Sequence, residues 1–231
     1  MYIKNRVLSL VIRSIGLIIG LSGIFLISSL GGQFSFATWL YYTLMSNILV
    51  CIYLAFCIVR GVLDIARKGP HGDSQYYPKI SMVLSVDILL TMAVFWIMLA
   101  PTMFSMSSSL SLFSFENIVC HTVTPIVMIL DYLIFNKRRT LRVFDPAFVT
   151  VFPLAYTAFA MILGTSGYVF SLDLDGNPVH FPYYFLDIYN LGWMVLPYIL
   201  LLAALLVGVG YICYLFDRKG PTKEILLRKR D

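Results

Sequence analysis

The side chain best suited to chemistry in the apolar part of this sequence is the imidazole of His121. It lies in the stretch 113–135, which is long enough to cross a bilayer, while His71 and His180 lie in polar connecting segments. An imidazole inside a membrane loses its hydration, so it is rare there without a partner or a task. Thr43 lies in another apolar stretch, and a neutral histidine can take the proton of a threonine hydroxyl. Such a pair could open an ester through an acyl-threonine intermediate.

The composition is that of a polytopic membrane protein. Of 231 residues, 59% are hydrophobic and 13% are charged, and the mean hydropathy of +0.84 is far above that of a soluble domain. Because a crossing takes about 20 apolar residues, we predict an all-α bundle of six transmembrane helices forming one domain over 1–231. The predicted spans are 7–29, 37–59, 79–100, 114–135, 147–165 and 188–216.

Links that contain lysine and arginine alternate with links that contain neither. The basic segments are 1–6, 60–79, 136–146 and 218–230, and the links without Lys or Arg are 30–36, 101–113 and 166–187. The positive-inside rule therefore predicts that both termini are cytoplasmic, in a cell inner or plasma membrane. We expect the basic face to contact anionic lipid headgroups. Because topology accounts for the positive charge, a nucleic-acid partner has little support.

The predicted topology allows the depth of polar side chains to be counted. His121 is about seven residues below the outer start of its span, so ~10 Å deep at 1.5 Å per residue. Thr43 is six residues below Ala37, so ~9 Å deep on the same rise. Asn47 lies one turn below Thr43, and Asn117 one turn above His121. Two polar faces on parallel helices are therefore predicted to be level.

Further side chains are candidates for supporting this pair. They are Asn47, Ser46, Asn117, Asp187 and Tyr184. Asn47 or backbone N–H groups could hold an oxyanion, and the ring of His121 needs an orienting acceptor, for which Asn117, Glu116 and Asp187 are candidates. Against a catalytic interpretation, an intramembrane threonine commonly bonds a carbonyl of its own helix.

The sequence contains no pattern typical of a metal site or of redox chemistry. The cysteines Cys51, Cys57, Cys120 and Cys213 all fall within predicted spans, which indicates buried small apolar residues and no disulfide framework. The three histidines lie in different compartments and give no metal-ligand spacing. We therefore expect neither a metal nor a cofactor.

Three segments resemble the androgen-induced protein family of integral-membrane threonine hydrolases and its six-span bacterial relatives. Segment 41–49 is similar to that family's aromatic-Thr-x-x-Ser-Asn motif, and 121–132 to its His-x-x-x-Pro helix ending in Asp-aromatic. The third segment is 152–156, followed by 181–187 and Gly192. The resemblance implies that Thr43 and His121 are a catalytic pair. It also implies that the substrate is a fatty acid ester of a hydroxy fatty acid or a similar lipid ester.

Two other functions are compatible with the sequence. Asp87 lies inside the third predicted span, and a buried carboxylate can carry protons or cations in a transporter or channel. Its structural alternative is a pair with Arg13, while Asp131 is expected to be hydrated at the interface or paired with Lys137 or Arg138. A non-catalytic lipid-binding or assembly protein is the third possibility.

Overall fold

The computed structural model describes residues 2–29, 36–101, 112–173 and 175–219. Within these residues the chain forms six long helices. They are α1 (Arg6–Ser28), α2 (Tyr42–Lys68), α3 (Pro78–Leu99), α4 (Phe115–Phe135), α5 (Asp145–Thr165) and α6 (Ile188–Arg218). Each is long and apolar enough to cross a membrane. The described part also contains short 3₁₀ turns and an antiparallel pair of two-residue strands, β1 (Ser171–Leu172) and β2 (Pro178–Val179). The predicted all-α membrane bundle is confirmed.

The boundaries of α2 differ from the predicted span 37–59. Ala37–Leu40 forms a separate 3₁₀ turn, and the extended backbone of Tyr41 (ψ 144°) breaks the chain before the helix begins at Tyr42. At its other end α2 continues through a polar stretch to Lys68, whose ammonium lies 2.9 Å from the Asp64 carboxylate. The length of an apolar stretch predicts only the part of a helix that lies in lipid, so it does not predict this polar extension.

Glycines bring α1 close to α4. A Cβ added to Gly16 would lie 2.5 Å from Cγ1 of Val127, and one added to Gly23 would lie 2.4 Å from Cγ1 of Val119. Small residues at such positions let two membrane helices approach along their backbones. The contact at Gly23 is made with the segment of α4 that contains His121, so this approach helps to place the imidazole.

Gly23→Ala should lower the free energy of unfolding by about 1–3 kcal/mol, because the added methyl must displace Val119 in a packed interface. Gly208→Ala is the matched control, since a Cβ there meets nothing within 4 Å and alanine suits a helix better than glycine. Thermal unfolding of the purified proteins in one detergent would show the difference. Equal melting temperatures for the two variants would contradict the close approach.

The basic segments meet at one end of the bundle. The Tyr2 hydroxyl donates to Asp73 at 2.8 Å, and the amide of Ile3 donates to the carbonyl of Ile134 at 2.9 Å. The amide of Thr140 donates to the Asp217 carboxylate at 3.0 Å. The N-terminus, the α2–α3 and α4–α5 links and the end of α6 thus share one end; the basic tail from 220 onwards is outside the described residues.

The long α5–α6 link folds over the start of α2 at the opposite end. The ring of Tyr41 makes edge contacts with Phe170 and Tyr183, at centroid distances of 5.7 and 6.2 Å. Phe181 packs on Gly164, where an added Cβ would lie 2.4 Å from its Cε1. These aromatic contacts fix the link against the helices that carry the candidate site.

Arg13 forms a buried ion pair with Asp131. Its Nε lies 2.7 Å from Oδ1 and its Nη2 3.1 Å from Oδ2, and Nη1 donates to the Ser74 carbonyl at 2.7 Å. The two side chains are 1% and 2% exposed. The predicted pairing of Arg13 with Asp87 is therefore wrong, because α1 packs on α2 and α4 whereas Asp87 lies on α3.

The prediction for the surroundings of the Asp131 carboxylate is also wrong. The prediction was hydration at the interface or a pair with Lys137 or Arg138, but α1 covers this carboxylate. The guanidinium of Arg138 instead lies 3.8 Å from the centroid of the Phe216 ring, and its Nη2 donates to the carbonyl of Leu133.

Candidate active site

Two π-helical turns face each other around His121. The α-helical part of α3 ends at Val94 and continues as the π turn Phe95–Leu99, while α4 contains the π turn Val119–Val123. The Phe95 ring stacks on the imidazole at a centroid distance of 3.9 Å and an angle of 16°. Trp96 Nε1 donates to the Thr122 hydroxyl at 2.9 Å. Single π turns are often found at functional sites, and these two hold each other through consecutive residues.

Thr43 and His121 are in hydrogen-bond contact. Thr43 Oγ1 lies 3.2 Å from His121 Nε2, and His121 Nδ1 lies 3.0 Å from the carbonyl oxygen of Asn117. A carbonyl can only accept, so Nδ1 carries the proton, and in a neutral ring Nε2 is then the acceptor. The Thr43 hydroxyl therefore donates to Nε2. This is the arrangement in which a histidine acts as a general base toward a hydroxyl nucleophile.

The orienting acceptor of His121 is a backbone group. The Asn117 carbonyl takes the only proton on Nδ1, so neither the Asn117 side chain nor Glu116 orients the ring. The predicted role of Asp187 is wrong, because its carboxylate accepts from the amides of Tyr189 and Asn190, at 3.0 and 3.1 Å, and caps the first turn of α6.

The Asn47 side chain joins α2 to α4 through hydrogen bonds, and these leave it no N–H for a substrate. In the π turn the Thr124 amide bonds the Val119 carbonyl, so the Cys120 carbonyl lacks its α-helical partner. Asn47 Nδ2 donates to that carbonyl at 3.0 Å and to the Thr43 carbonyl at 2.8 Å. Both amide hydrogens are used, so the prediction that Asn47 holds the oxyanion is wrong.

Ser46 has a similar supporting role. Its hydroxyl donates to the Thr43 carbonyl at 3.0 Å and lies 2.8 Å from Thr91 Oγ1, so the Thr91 hydroxyl is the donor in the second contact. Ser46 thus joins the first turn of α2 to α3. With Asn47, it fixes the backbone that carries the candidate nucleophile.

Two cavities meet at the pair. One, of about 690 Å³ including its mouth, lies among α2, α3, α5 and α6 and is mainly apolar; the other, of about 740 Å³ including its mouth, lies beside the α5–α6 link. The first is lined by residues that include Leu90, Val94, Leu154, Ile199, Leu202 and Ala203. The second includes Thr38, Tyr41, Asn117 and Pro182. Thr43, His121 and Tyr183 line both cavities, so a molecule occupying both would pass across the pair.

Of the two adjacent tyrosines in the α5–α6 link, Tyr183 and not the predicted Tyr184 lines the site, and Phe95 lines it without having been predicted. Tyr184 is 51% exposed and lines neither cavity, whereas Tyr183 is 8% exposed and lines both. The two tyrosines are adjacent in an irregular segment, where no periodicity separates an inward from an outward position. Phe95 carried no signal, because its contact with His121 depends on the two π turns.

Asp87 is buried apart from the pair. Neither of its carboxylate oxygens has a hydrogen-bond partner, and the Tyr42 hydroxyl meets only its backbone carbonyl, at 3.4 Å. Within the described ranges no three His, Cys, Asp or Glu side chains are grouped as a metal site would require.

The geometry allows a proton to pass from the Thr43 hydroxyl to His121 at the junction of the two cavities. Comparison with protein-family models, with curated proteins and with solved structures finds no match to this chain. The resemblance of its three segments to the androgen-induced family therefore stays a prediction.

Proposed function

We propose that this protein is an intramembrane hydrolase of lipid esters, with Thr43 as nucleophile and His121 as general base. The observation that supports this most is the 3.2 Å contact between Thr43 Oγ1 and His121 Nε2, in the tautomer fixed by the Asn117 carbonyl. The contact lies where the two cavities join. Buried threonine hydroxyls more often bond a carbonyl of their own helix, and this one donates to an imidazole.

The reaction follows the acyl-enzyme scheme. Thr43 Oγ attacks the ester carbonyl carbon while His121 Nε2 takes its proton, which gives a tetrahedral oxyanion. The oxyanion collapses, the bond to the alcohol oxygen breaks, and the alcohol leaves with the proton from His121. Water then attacks the acyl-Thr43 ester and passes a proton to His121. Collapse of the second oxyanion returns that proton to Thr43 and releases the carboxylic acid.

The two cavities indicate how such an ester would lie. The apolar cavity among α2, α3, α5 and α6 suits an acyl chain, since an apolar chain gains most by leaving water for such a lining. The cavity beside the link suits the alcohol part and the incoming water. The family resemblance supports fatty acid esters of hydroxy fatty acids or similar lipid esters. We propose no metal or cofactor for this chemistry.

The placement of the site in the membrane belongs to the same proposal. The shared basic end of the bundle supports cytoplasmic termini in a cell inner or plasma membrane, with anionic headgroups against that end. The pair lies near the start of α2, at the opposite end, where the α5–α6 link folds over it. A lipid ester would then be cut in the outer leaflet.

The proposal can be tested on the purified protein in lipid nanodiscs. We expect release of the free acid from a long-chain acyl ester and a covalent adduct with a fluorophosphonate probe. Peptide mass spectrometry should place the adduct on Thr43. An adduct on another residue, or labelling without any acid release, would count against the mechanism.

A transporter that uses Asp87 is the alternative, favoured by its buried carboxyl group without a hydrogen-bond partner. A buried polar group in that state is costly, and in membranes such groups often belong to ion pathways. Ion flux in proteoliposomes that survives Thr43→Ala but not Asp87→Asn would support this function and not hydrolysis.

A further inference from the structure

The first turn of α2 presents backbone N–H groups beside Thr43. The helix begins at Tyr42, so Thr43 is its second residue, and the preceding Tyr41 makes no side-chain capping bond. The amides of a first helical turn have no acceptor within their own helix. These donors carry the positive end of the helix dipole to the nucleophile.

The side chain of Tyr183 lies beside these donors. It lines both cavities together with Thr43 and His121, and hydrogen bonding to Thr43 and to the backbone of Tyr42 lowers the pKa of its hydroxyl against the effect of burial. Its ring stacks on Phe185 at a centroid distance of 5.3 Å and an angle of 7°, and its carbonyl accepts from the Leu186 amide at 3.0 Å. The side chain is thus fixed from both the ring and the backbone.

The groups around this hydroxyl limit the direction of its hydrogen bonds. The Thr43 hydroxyl donates its one proton to His121, so toward Tyr183 the Thr43 oxygen can only accept. Backbone amides can only donate, so toward the first turn of α2 the Tyr183 oxygen is an acceptor. The neighbouring Tyr156 hydroxyl donates to the Leu40 carbonyl at 3.1 Å, so its oxygen too can only accept. The Tyr183 hydroxyl is therefore a donor toward both of its hydroxyl neighbours, and one of them is the candidate nucleophile.

The protonation state of the Tyr183 hydroxyl suits a hydrogen-bond donor. Burial raises the pKa of its hydroxyl to about 12, although the neighbouring polar groups of Thr43 and the Tyr42 backbone oppose part of that rise. The group therefore remains protonated at neutral pH. A hydroxyl that accepts N–H bonds is also polarised into a stronger donor.

We propose that Tyr183 is a further catalytic residue, whose hydroxyl donates to the substrate carbonyl oxygen as Thr43 attacks it. As Thr43 attacks, its oxygen becomes part of an ester and a poorer acceptor, so the Tyr183 proton turns to the carbonyl oxygen beside it. That oxygen gains a negative charge while the carbon–oxygen double bond becomes single, and the Tyr183 hydroxyl and the amides behind it stabilise the charge. No bond to Tyr183 forms. This inference rests on the proposed hydrolase function.

The test compares Tyr183→Phe with Tyr184→Phe in the nanodisc ester assay. Loss of one oxyanion donor typically lowers kcat by about 10²–10³-fold, so we expect a fall of that order in kcat for Tyr183→Phe with KM nearly unchanged. Tyr184→Phe should behave as wild type, since Tyr184 lines neither cavity. A loss of kcat that follows the unfolded fraction, measured by melting in the same discs, would assign Tyr183 a structural role only.

A second measurement does not depend on removing the hydroxyl. With 3,5-difluorotyrosine incorporated at position 183, the phenol ionises at lower pH and then cannot donate. We expect kcat of this protein to fall toward alkaline pH before that of wild type, and an unchanged profile would overturn the proposal. Tyr41, Tyr156 and His121 also face Tyr183, so the wild-type profile is the reference.

Thr43→Ala separates the two ideas. If it abolishes hydrolysis while Tyr183→Phe keeps the wild-type kcat, the role of Tyr183 is wrong and the hydrolase stands. If Thr43→Ala itself retains hydrolysis, the hydrolase function fails first.

Discussion

Thr43→Ala and His121→Ala should each lower kcat/KM for a lipid ester by about 10³-fold or more, since removal of one member of a nucleophile–base unit costs nearly as much as removal of the whole. Thr43→Ala should also abolish the fluorophosphonate adduct, because the Oγ1 that would carry it is gone. His121→Ala leaves that oxygen without the base 3.2 Å away. Acid release by mass spectrometry and in-gel probe fluorescence measure the two effects.

Two controls make this result specific. Thr43→Ser keeps a hydroxyl at the start of α2 and should retain both adduct and turnover, although its freer rotamers should slow the reaction. Asp87→Asn changes a buried side chain that lines neither cavity, so hydrolysis should stay at the wild-type level. Undiminished labelling of either alanine variant at equal protein levels would exclude the pair as nucleophile and base.

Arg13→Met and Asp131→Ala should each destabilise the protein by about 3–5 kcal/mol, because each leaves the partner charge buried and uncompensated. The ion pair joins α1 to α4, and Nη1 of Arg13 also holds the α2–α3 link through Ser74. Thermal unfolding in detergent and the yield of folded protein from membranes are the measurements.

The double variant Arg13→Met with Asp131→Leu should recover most of that loss, since replacing a buried pair with apolar side chains is often neutral or stabilising. Lys4→Ala is the surface control. Lys4 lies 3.7 Å from Asp73 with both side chains well exposed, and such pairs contribute about 0–1 kcal/mol. Single variants of the buried pair that are as mild as Lys4→Ala would show that the pair contributes little.

The sequence predicts the part of this structure that depends on apolar length and charge placement. Six spans and a common basic end follow from the composition of the segments. The contact between Thr43 and His121 agrees with their predicted similar levels, although the count for Thr43 began five residues before α2. At 1.5 Å per residue those five residues amount to about 7.5 Å of the count, and in the structure the 3₁₀ turn and the extended Tyr41 occupy them instead of α2.

What the sequence does not predict is the direction in which side chains point around each helix. Arg13 pairs with Asp131 because α1 lies against α4, and a charge pattern along the chain does not fix that neighbour. Asn47 is committed to carbonyls because a π turn frees one of them at Cys120. Tyr183 lies in an irregular link whose path depends on long-range aromatic contacts.

The two π turns also set the phase of their helices. An α-helix advances about 100° per residue, so each wider turn adds the equivalent of roughly one residue and rotates everything beyond it by that angle. The parts of α3 and α4 on the side of the basic end, Pro78–Val94 and Thr124–Phe135, face the packed core, while the π turns direct Phe95 and His121. The direction in which these helices point their site residues can therefore change without a change in their core packing. A sequence that lacks one residue in the turn of α4 would keep the bundle and point a different side chain at Thr43, whereas one that lacks a residue in the turn of α3 would change the ring beside His121.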